Sequence, residues 1–311
     1  MHQLSTSVDP AVQVDPSRLR EVDCYLCGSA GRRVRFSESG IHLAECTDCG
    51  FVYVTPRLGP EALDALYQEP YWQSSCAKDY GYMNYLREKD LYFRTFRKRL
   101  RNITAHRRHG DLLDVGCAAG FFLHVAREAG FDVHGVDVAT PMVRVAREEL
   151  GLENVREGTL RSAGYPDHAF DVVTLWDVIE HMHDPLDALV ECRRVLKADG
   201  LLVLETQNVR SGFARLMGRR WHHFKMLEHL YHFDPKTCTV LLERAGFEVV
   251  RRTSRRAGKY VSMDFIVERS ARVNRFLPKL MKPIQKVGPS ALYVNPLDEM
   301  VFIARPRAER S

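Results

Sequence analysis

From Gly110 onward the chain alternates short apolar runs with stretches of helical period. DLLDVG, DVHGVDV, FDVVTLWDV, GLLVLETQ, FEVVRRT and the closing EMVFIAR have the length and β-branched content of strands. FFLHVAREAG, PMVRVAREEL, DPLDALVECRRVL and the stretch from Pro235 to Ala245 repeat apolar residues every three or four positions, which predicts helices. Strand and helix alternating in this way predict an α/β fold, a doubly wound sheet that is parallel apart from, at most, one edge. Upstream, RRVRFSESGIHLAE alternates apolar and polar residues around Ser39-Gly40, the pattern of a short hairpin. Beyond Pro56 and Pro60, helical spacing through residues 59–109 predicts a connector rich in tyrosine, at 67, 71, 80, 82, 85 and 92. Core or lid packing is the default role of those rings, and a cover for a bound ligand, by Tyr80 or Tyr82, the alternative.

Composition narrows the class. With 311 residues, 45% hydrophobic and 27% charged, the chain is neither disordered nor an integral membrane protein. Its longest apolar stretch, Leu112 to Ala126, is interrupted by Asp114 and His124 and is shorter than a spanning helix requires. Residues 1–20 lack the basic start and apolar run of a secretory signal, so a mobile arm, a cytoplasmic location and reduced cysteines are expected. The net charge of +5 says little, but basic residues cluster in Arg94 to His109, Arg251 to Lys259 and Arg269 to Lys286. Solvated faces explain such runs by default, with an anionic acceptor, RNA or peripheral membrane contact as the alternatives.

Four of the eight cysteines form two pairs, Cys24-x-x-Cys27 and Cys46-x-x-Cys49. Each pair is followed by a glycine, Gly28 or Gly50, able to take positive φ, so two tight turns can close a tetrahedron of thiolates around one Zn²⁺. Four protein ligands leave no open position, so this zinc is expected to be structural. The predicted divisions are thus the arm 1–20, a zinc-ribbon-like domain 21–58, the connector 59–109 and an α/β domain 110–311.

At the end of the first α/β strand stands Leu112-Leu113-Asp114-Val115-Gly116-Cys117-Ala118-Ala119-Gly120. Small residues at 116, 118, 119 and 120 let backbone approach a ligand where strand turns to helix. The next strand ends at Asp137, where a carboxylate can take both hydroxyls of a ribose. A dinucleotide fingerprint would need glycine at 118 and 121, but Ala118 and Phe121 stand there. Asp114, Gly116 and Gly120, with GVDVA, AFDVVTLWDVIEHMHDP, VLKADGLLVLETQN and LLERAGFEVV, resemble the class I S-adenosylmethionine-dependent methyltransferases over about Gly110 to Arg305. The resemblance implies their Rossmann-like seven-stranded sheet and S-adenosylmethionine as cofactor. It further implies that Gly116 and Gly120, with Ala118 in place of a middle glycine, line the methionine moiety, that Asp137 binds the ribose, and that Asp114 supports the loop or the amino group. Trp176 and Asp177 become pocket wall and cofactor neighbour. EGTLRS offers Thr159 where the family often places an acid near the adenine.

Methyl transfer from a sulfonium needs a base only where the acceptor must lose a proton. His181, in Glu180-His181-Met182, is the first candidate for a base or acceptor-orienting residue, and capping of the following helix is its bland alternative. An insertion at about 208–233 carries His222, His223, His229 and His232 without recognised metal-ligand spacing. His229 is the second candidate base, while Arg219 and Arg220 could hold an acidic group of the acceptor. The expected function is methyl transfer to an oxygen or carbon of a small sugar, lipid-linked or secondary-metabolite acceptor. The competing readings are an RNA methyltransferase using the zinc domain and basic patches, and a non-catalytic module that binds S-adenosylmethionine. Oligomeric state is not legible.

Overall fold

The computed structural model describes residues 16–66, 86–270, 276–281 and 290–308. Residues 67–85 of the tyrosine-rich connector, with Tyr67, Tyr71, Tyr80, Tyr82 and Tyr85, lie outside them, as do residues 1–15 and most of the lysine-rich segment near 280. Among the described residues, no helix is long and apolar enough to cross a membrane.

The first part of the chain forms β1 (Leu19–Arg20), β2 (Arg32–Glu38), β3 (Ile41–Cys46), β4 (Val52–Thr55) and β5 (Arg57–Leu58), with helices α1 (Pro60–Leu66) and α2 (Lys89–Thr104) following. The β2–β3 hairpin turns at Ser39 and Gly40 with φ of 49° and 79°. Two consecutive positive φ values give the turn whose twist matches its flanking strands.

The α/β region contains β6 (Gly110–Val115), α3 (Phe121–Glu128), β7 (Phe131–Asp137), α4 (Thr140–Leu150), β8 (Val155–Glu157), β9 (Phe170–Trp176), α5 (Pro185–Val195) and β10 (Leu196–Gln207). Then come α6 (Gly212–Met217), β11 (Tyr231–His232), α7 (Pro235–Arg244), β12 (Phe247–Thr253), β13 (Lys259–Ser262), α8 (Met263–Ser270), β14 (Ala291–Val294) and β15 (Glu299–Pro306). Local signals start the helices where they were expected. Asp184 caps α5, accepting from the Asp187 amide at 2.9 Å, and Asp234 with Thr237 forms a reciprocal capping box on α7. Proline at the first turn of both fits a helix start.

Seven strands form the main sheet in the order β12-β15-β10-β9-β6-β7-β8. The strands β8, β7, β6, β9 and β10 run parallel, and β15 runs antiparallel to both its neighbours. The reversed strand therefore sits one place in from the edge, not at it. Burial explains the placement. β15 is buried at six of its eight positions, an apolar run suited to cover on both faces, whereas β12 buries Phe247 and exposes Glu248 and Arg251. The sheet's winding reverses between β6 and β9, so a crevice is expected outside their carboxyl ends.

The insertion is not merely a loop. Its β11 adds antiparallel to β4, with Tyr231 opposite Tyr53, giving a four-stranded sheet in the order β11-β4-β3-β2. Cys24, Leu26 and Phe51 consequently share one buried core with Leu230, Phe233 and Leu241. Phe51 stacks on Tyr231 at 5.7 Å and packs against Phe233 at 5.4 Å.

Gly120 begins α3 with φ of 74°, and a Cβ there would lie 2.4 Å from Leu152 Cδ1. Gly120→Ala should therefore lower stability by roughly 1–3 kcal/mol, measured by urea unfolding. A variant as stable as the parent would show that the loop relaxes freely.

Candidate functional site

The Cys turns are built as the spacing predicts. The Gly28 and Gly50 amides donate back to the carbonyls of Cys24 and Cys46 at 2.7 and 3.0 Å, with φ of 75° and 76° at the glycines. Cys24 Sγ lies 3.5 Å from Cys49 Sγ, and Cys27 Sγ 3.5 Å from Cys46 Sγ. All four sulfurs lie within 4.8 Å of one another. That spacing is too long for disulfides and close to the about 3.8 Å edge of a tetrahedron with Zn–S bonds near 2.3 Å. Cys24, Cys27, Cys46 and Cys49 thus fit a closed, structural zinc.

At the carboxyl end of β6 the backbone takes positive φ at Gly116 (72°), Ala118 (45°) and Gly120 (74°). Asp137, ending β7, clamps this loop, one carboxylate oxygen accepting from the Ala118 amide at 2.7 Å and the other from the Ala139 amide at 2.8 Å. Asp114 lies beneath, buried, and its carboxyl takes the Thr174 hydroxyl at 2.6 Å. Burial pushes the Asp114 carboxyl up to about 8, keeping it neutral near pH 7. A Cβ on Gly116 would meet Val178 Cγ2 at 2.6 Å, so the loop abuts the turn that leads to His181. Gly120 faces Leu152, so its lack of a side chain serves helix packing.

Two histidines far apart in sequence meet here. The His181 and His229 rings are 4.6 Å apart, centroid to centroid, at 84°. His223 and His232 each lie 6.1 Å from His229, while His222 is exposed and stacks near His223 at 4.1 Å. Burial pulls the His181 imidazole down to about 4 and those of His223 and His232 to about 3, and lowers His229 as well. The group is neutral at physiological pH. Beside it, Glu180 is fully buried, accepting from Thr206 Oγ1 at 2.9 Å, and burial raises its carboxyl to about 8. Arg219 lies instead over the Phe36 ring at 5.2 Å and, like Arg220, is exposed.

Trp176 and Asp177 diverge. The Trp176 ring packs at 5.1 Å from Phe122, inside the core between α2, α3 and the sheet. Asp177, in a left-handed conformation at φ 56°, pairs with Lys259 at 3.1 Å and with Arg99 at 3.5 Å. Arg99 also pairs with Glu205, and Lys259 with Glu299 at 2.6 Å. Burial alone would raise the Asp177 carboxyl, but Lys259 and Arg99 outweigh it and hold it below its usual range. For Glu205 burial wins, and its carboxyl is pushed well up. Sequence reasoning missed this cluster. Arg99 belongs to a basic run that reads as a solvated face, yet it is 3% exposed, and nothing local links it to Glu205 or Glu299.

Cys24→Ser should drop zinc content from about one per chain toward zero and lower the melting temperature. Full metal occupancy in the purified variant would contradict the four-thiolate set. Glu180 gives a pH test. Its folded value of about 8 lies above the ordinary 4.5, so the stability it contributes is present below about 4.5 and lost as pH rises toward 8. Glu180→Gln should flatten that decline in urea unfolding relative to the parent. Identical pH dependence in the two proteins would show that Glu180 is ionised when folded.

Comparison with known proteins agrees with this architecture. Residues 85–252 match the family described as a methyltransferase domain. A ubiquinone biosynthesis O-methyltransferase of Roseobacter denitrificans is 32% identical over 151 residues, covering 45% of this chain and 61% of that protein. A probable S-adenosylmethionine-dependent methyltransferase of Mycolicibacterium smegmatis is 32% identical over 165 residues, covering 53% and 62%. The chain thus spans less than two thirds of the length of these relatives. In fold it is similar to a chain in the complex between the Haloferax volcanii Trm112 methyltransferase activator and the putative methyltransferase, at TM-score 0.51 and 15% identity over 73% of this chain and 94% of that one. With more than half its length matched, the chain belongs to the methyltransferase-domain family.

Proposed function

We propose that this protein transfers a methyl group from S-adenosylmethionine to an oxygen or carbon of a small acceptor of sugar, lipid-linked or secondary-metabolite type. The observation that carries the reading is the adjacency of the Asp137-clamped loop to the turn bearing His181, with Val178 packed between them. S-adenosylmethionine fits the donor side. Each Asp137 oxygen accepts one backbone N–H and retains lone pairs for a ribose hydroxyl, and the missing side chain at Gly116 lets Val178 pack directly on the loop. The cofactor, when bound, supplies an activated methyl group.

The chain's own residues do the rest. The 116–120 loop and Asp137 hold and orient the donor. The neutral His181–His229 pair stands ready to take a proton from an acceptor hydroxyl or carbon acid and to orient the acceptor. Asp177, tied to Arg99 and Lys259, fixes the wall at the end of β9. Three arginines of the Cys-bearing unit face its own carboxylates, which favours a small acceptor over RNA. Arg32 pairs with Glu21 at 2.7 Å, and Arg33 and Arg35 with Glu45 at 2.9 and 3.0 Å.

Asp137→Ala should weaken S-adenosylmethionine binding by about tenfold or more by calorimetry, the scale of lost bonds to a charged acceptor. Unchanged affinity would sink the donor-site assignment. Incubation with methyl-labelled S-adenosylmethionine and extract of the native cell should place label in nuclease-resistant small molecules or lipids. Label lost on ribonuclease treatment would reassign the enzyme to RNA, and tight cofactor binding without any label transfer would favour a non-catalytic module.

A further inference from the structure

The Cys-bearing turns do more than stabilise their own hairpin, because one of them holds the segment that carries His181. Tyr25 lies between Cys24 and Cys27, inside the first metal turn. Its hydroxyl donates to Asp184 Oδ1 and accepts from the Leu186 amide at 2.9 Å. Asp184 is the cap of α5 and follows His181 by one short turn. The Tyr25 ring packs 5.1 Å from Tyr231, whose own hydroxyl donates to the His183 carbonyl at 2.9 Å. One residue before Tyr231, the Leu230 amide donates to the Glu180 carbonyl at 2.9 Å, and the Leu230 carbonyl accepts from the Val54 amide at 3.0 Å. The first metal turn is tied to the opposite wall as well, Arg244 donating to the Leu26 carbonyl.

These bonds converge on residues 180–186 and on the strand that follows His229. We propose that the four-thiolate unit sets the position of the His181–His229 pair, with Tyr25 as the positioning residue that links the metal turn to the His181 segment. The proposal rests on reading that pair as the acceptor side of the methyltransferase site. A structural zinc then has a functional consequence: when the Cys24–Cys27 turn is closed, Tyr25 is presented at one height and angle, and the 180–186 turn has one place to go. The loop at 116–120 has its own clamp, Asp137, in addition to its contact with Val178.

The test uses the zinc-loaded full chain and Tyr25→Phe, which keeps the ring and removes only the hydroxyl. Expected are full zinc content, S-adenosylmethionine affinity within about twofold of the parent, and amide exchange at Leu186 faster by about fivefold, the scale of one net hydrogen bond. The ¹⁵N-labelled His181 imidazole, faced by His229, Glu180, Glu228, Lys225 and Asp177, should titrate upward from about 4 toward its ordinary 6.5 as the turn loosens. Tyr231→Phe, which removes the bond to His183 from the other strand, should move the same histidine signal and provides the second arm should the first variant fold poorly. An unchanged His181 titration in both variants, or a loss of cofactor affinity as large as the change at Leu186, would overturn the proposal. If the parent itself does not bind S-adenosylmethionine, the methyltransferase reading fails, whereas the exchange and titration data still decide whether Tyr25 positions His181.

Discussion

Both backbone groups of Leu230 are taken by different parts of the molecule, and the arrangement of the site follows from that. Its N–H donates to Glu180 in the turn after β9, and its carbonyl accepts from Val54 in β4. A buried residue cannot leave either group unpaired without a cost of the order of 1–3 kcal/mol, and Leu230 is fully buried. The insertion is thereby fixed between the N-terminal sheet and the main sheet. His229, one position earlier, is delivered to His181, and Tyr231, one position later, joins β4 and packs on Tyr25 and Phe51.

Burial dominates the electrostatics of both the Asp137 loop and the histidine group. Asp137 accepts from two backbone amides at close range, yet burial outweighs them and raises its carboxyl. In the histidine group compensation is thin: Nδ1 of His229 and Nε2 of His223 and His232 have no hydrogen bond among the described residues. Desolvation keeps them neutral. Just beyond β9 lies an ion cluster in which Arg99 and Lys259 are set against Asp177, Glu205 and Glu299. Burial raises the Glu205 carboxyl, whereas Lys259 and Arg99 hold that of Asp177 down.

That cluster also ties the connector and the C-terminal hairpin to the carboxyl end of β9. Arg99 comes from α2 and Lys259 from β13, and both reach Asp177 at the end of β9. Lys98, one residue from Arg99, lies 3.4 Å from the Tyr293 ring centroid, and Arg94 lies 4.0 Å from that of Tyr260. A helix whose sequence is densely basic is therefore used on several faces at once, one charge for the buried cluster and others over aromatic rings.

What the sequence determined by itself is local. The alternation of strands and helices, the caps at Asp184 and Asp234, the turn at Ser39-Gly40, the glycine-rich loop with Asp137 and the four thiolates all depend on neighbours a few residues apart, where periodicity and φ preference act directly. Tertiary structure decided the rest. Short β11 has no strand signal of its own and exists because β4 offers it unpaired backbone. β15 entered the sheet between β10 and β12 because its apolar run needs cover on both faces, a choice that alternation alone does not make. Trp176, at the end of a strand, was free to face either side and went to the core with Phe122. The meeting of His181 with His229, and of Arg99 with Asp177 and Glu205, required segments distant in the chain to be buried together. Desolvation then made partners of groups that, read along the chain, are ordinary surface residues.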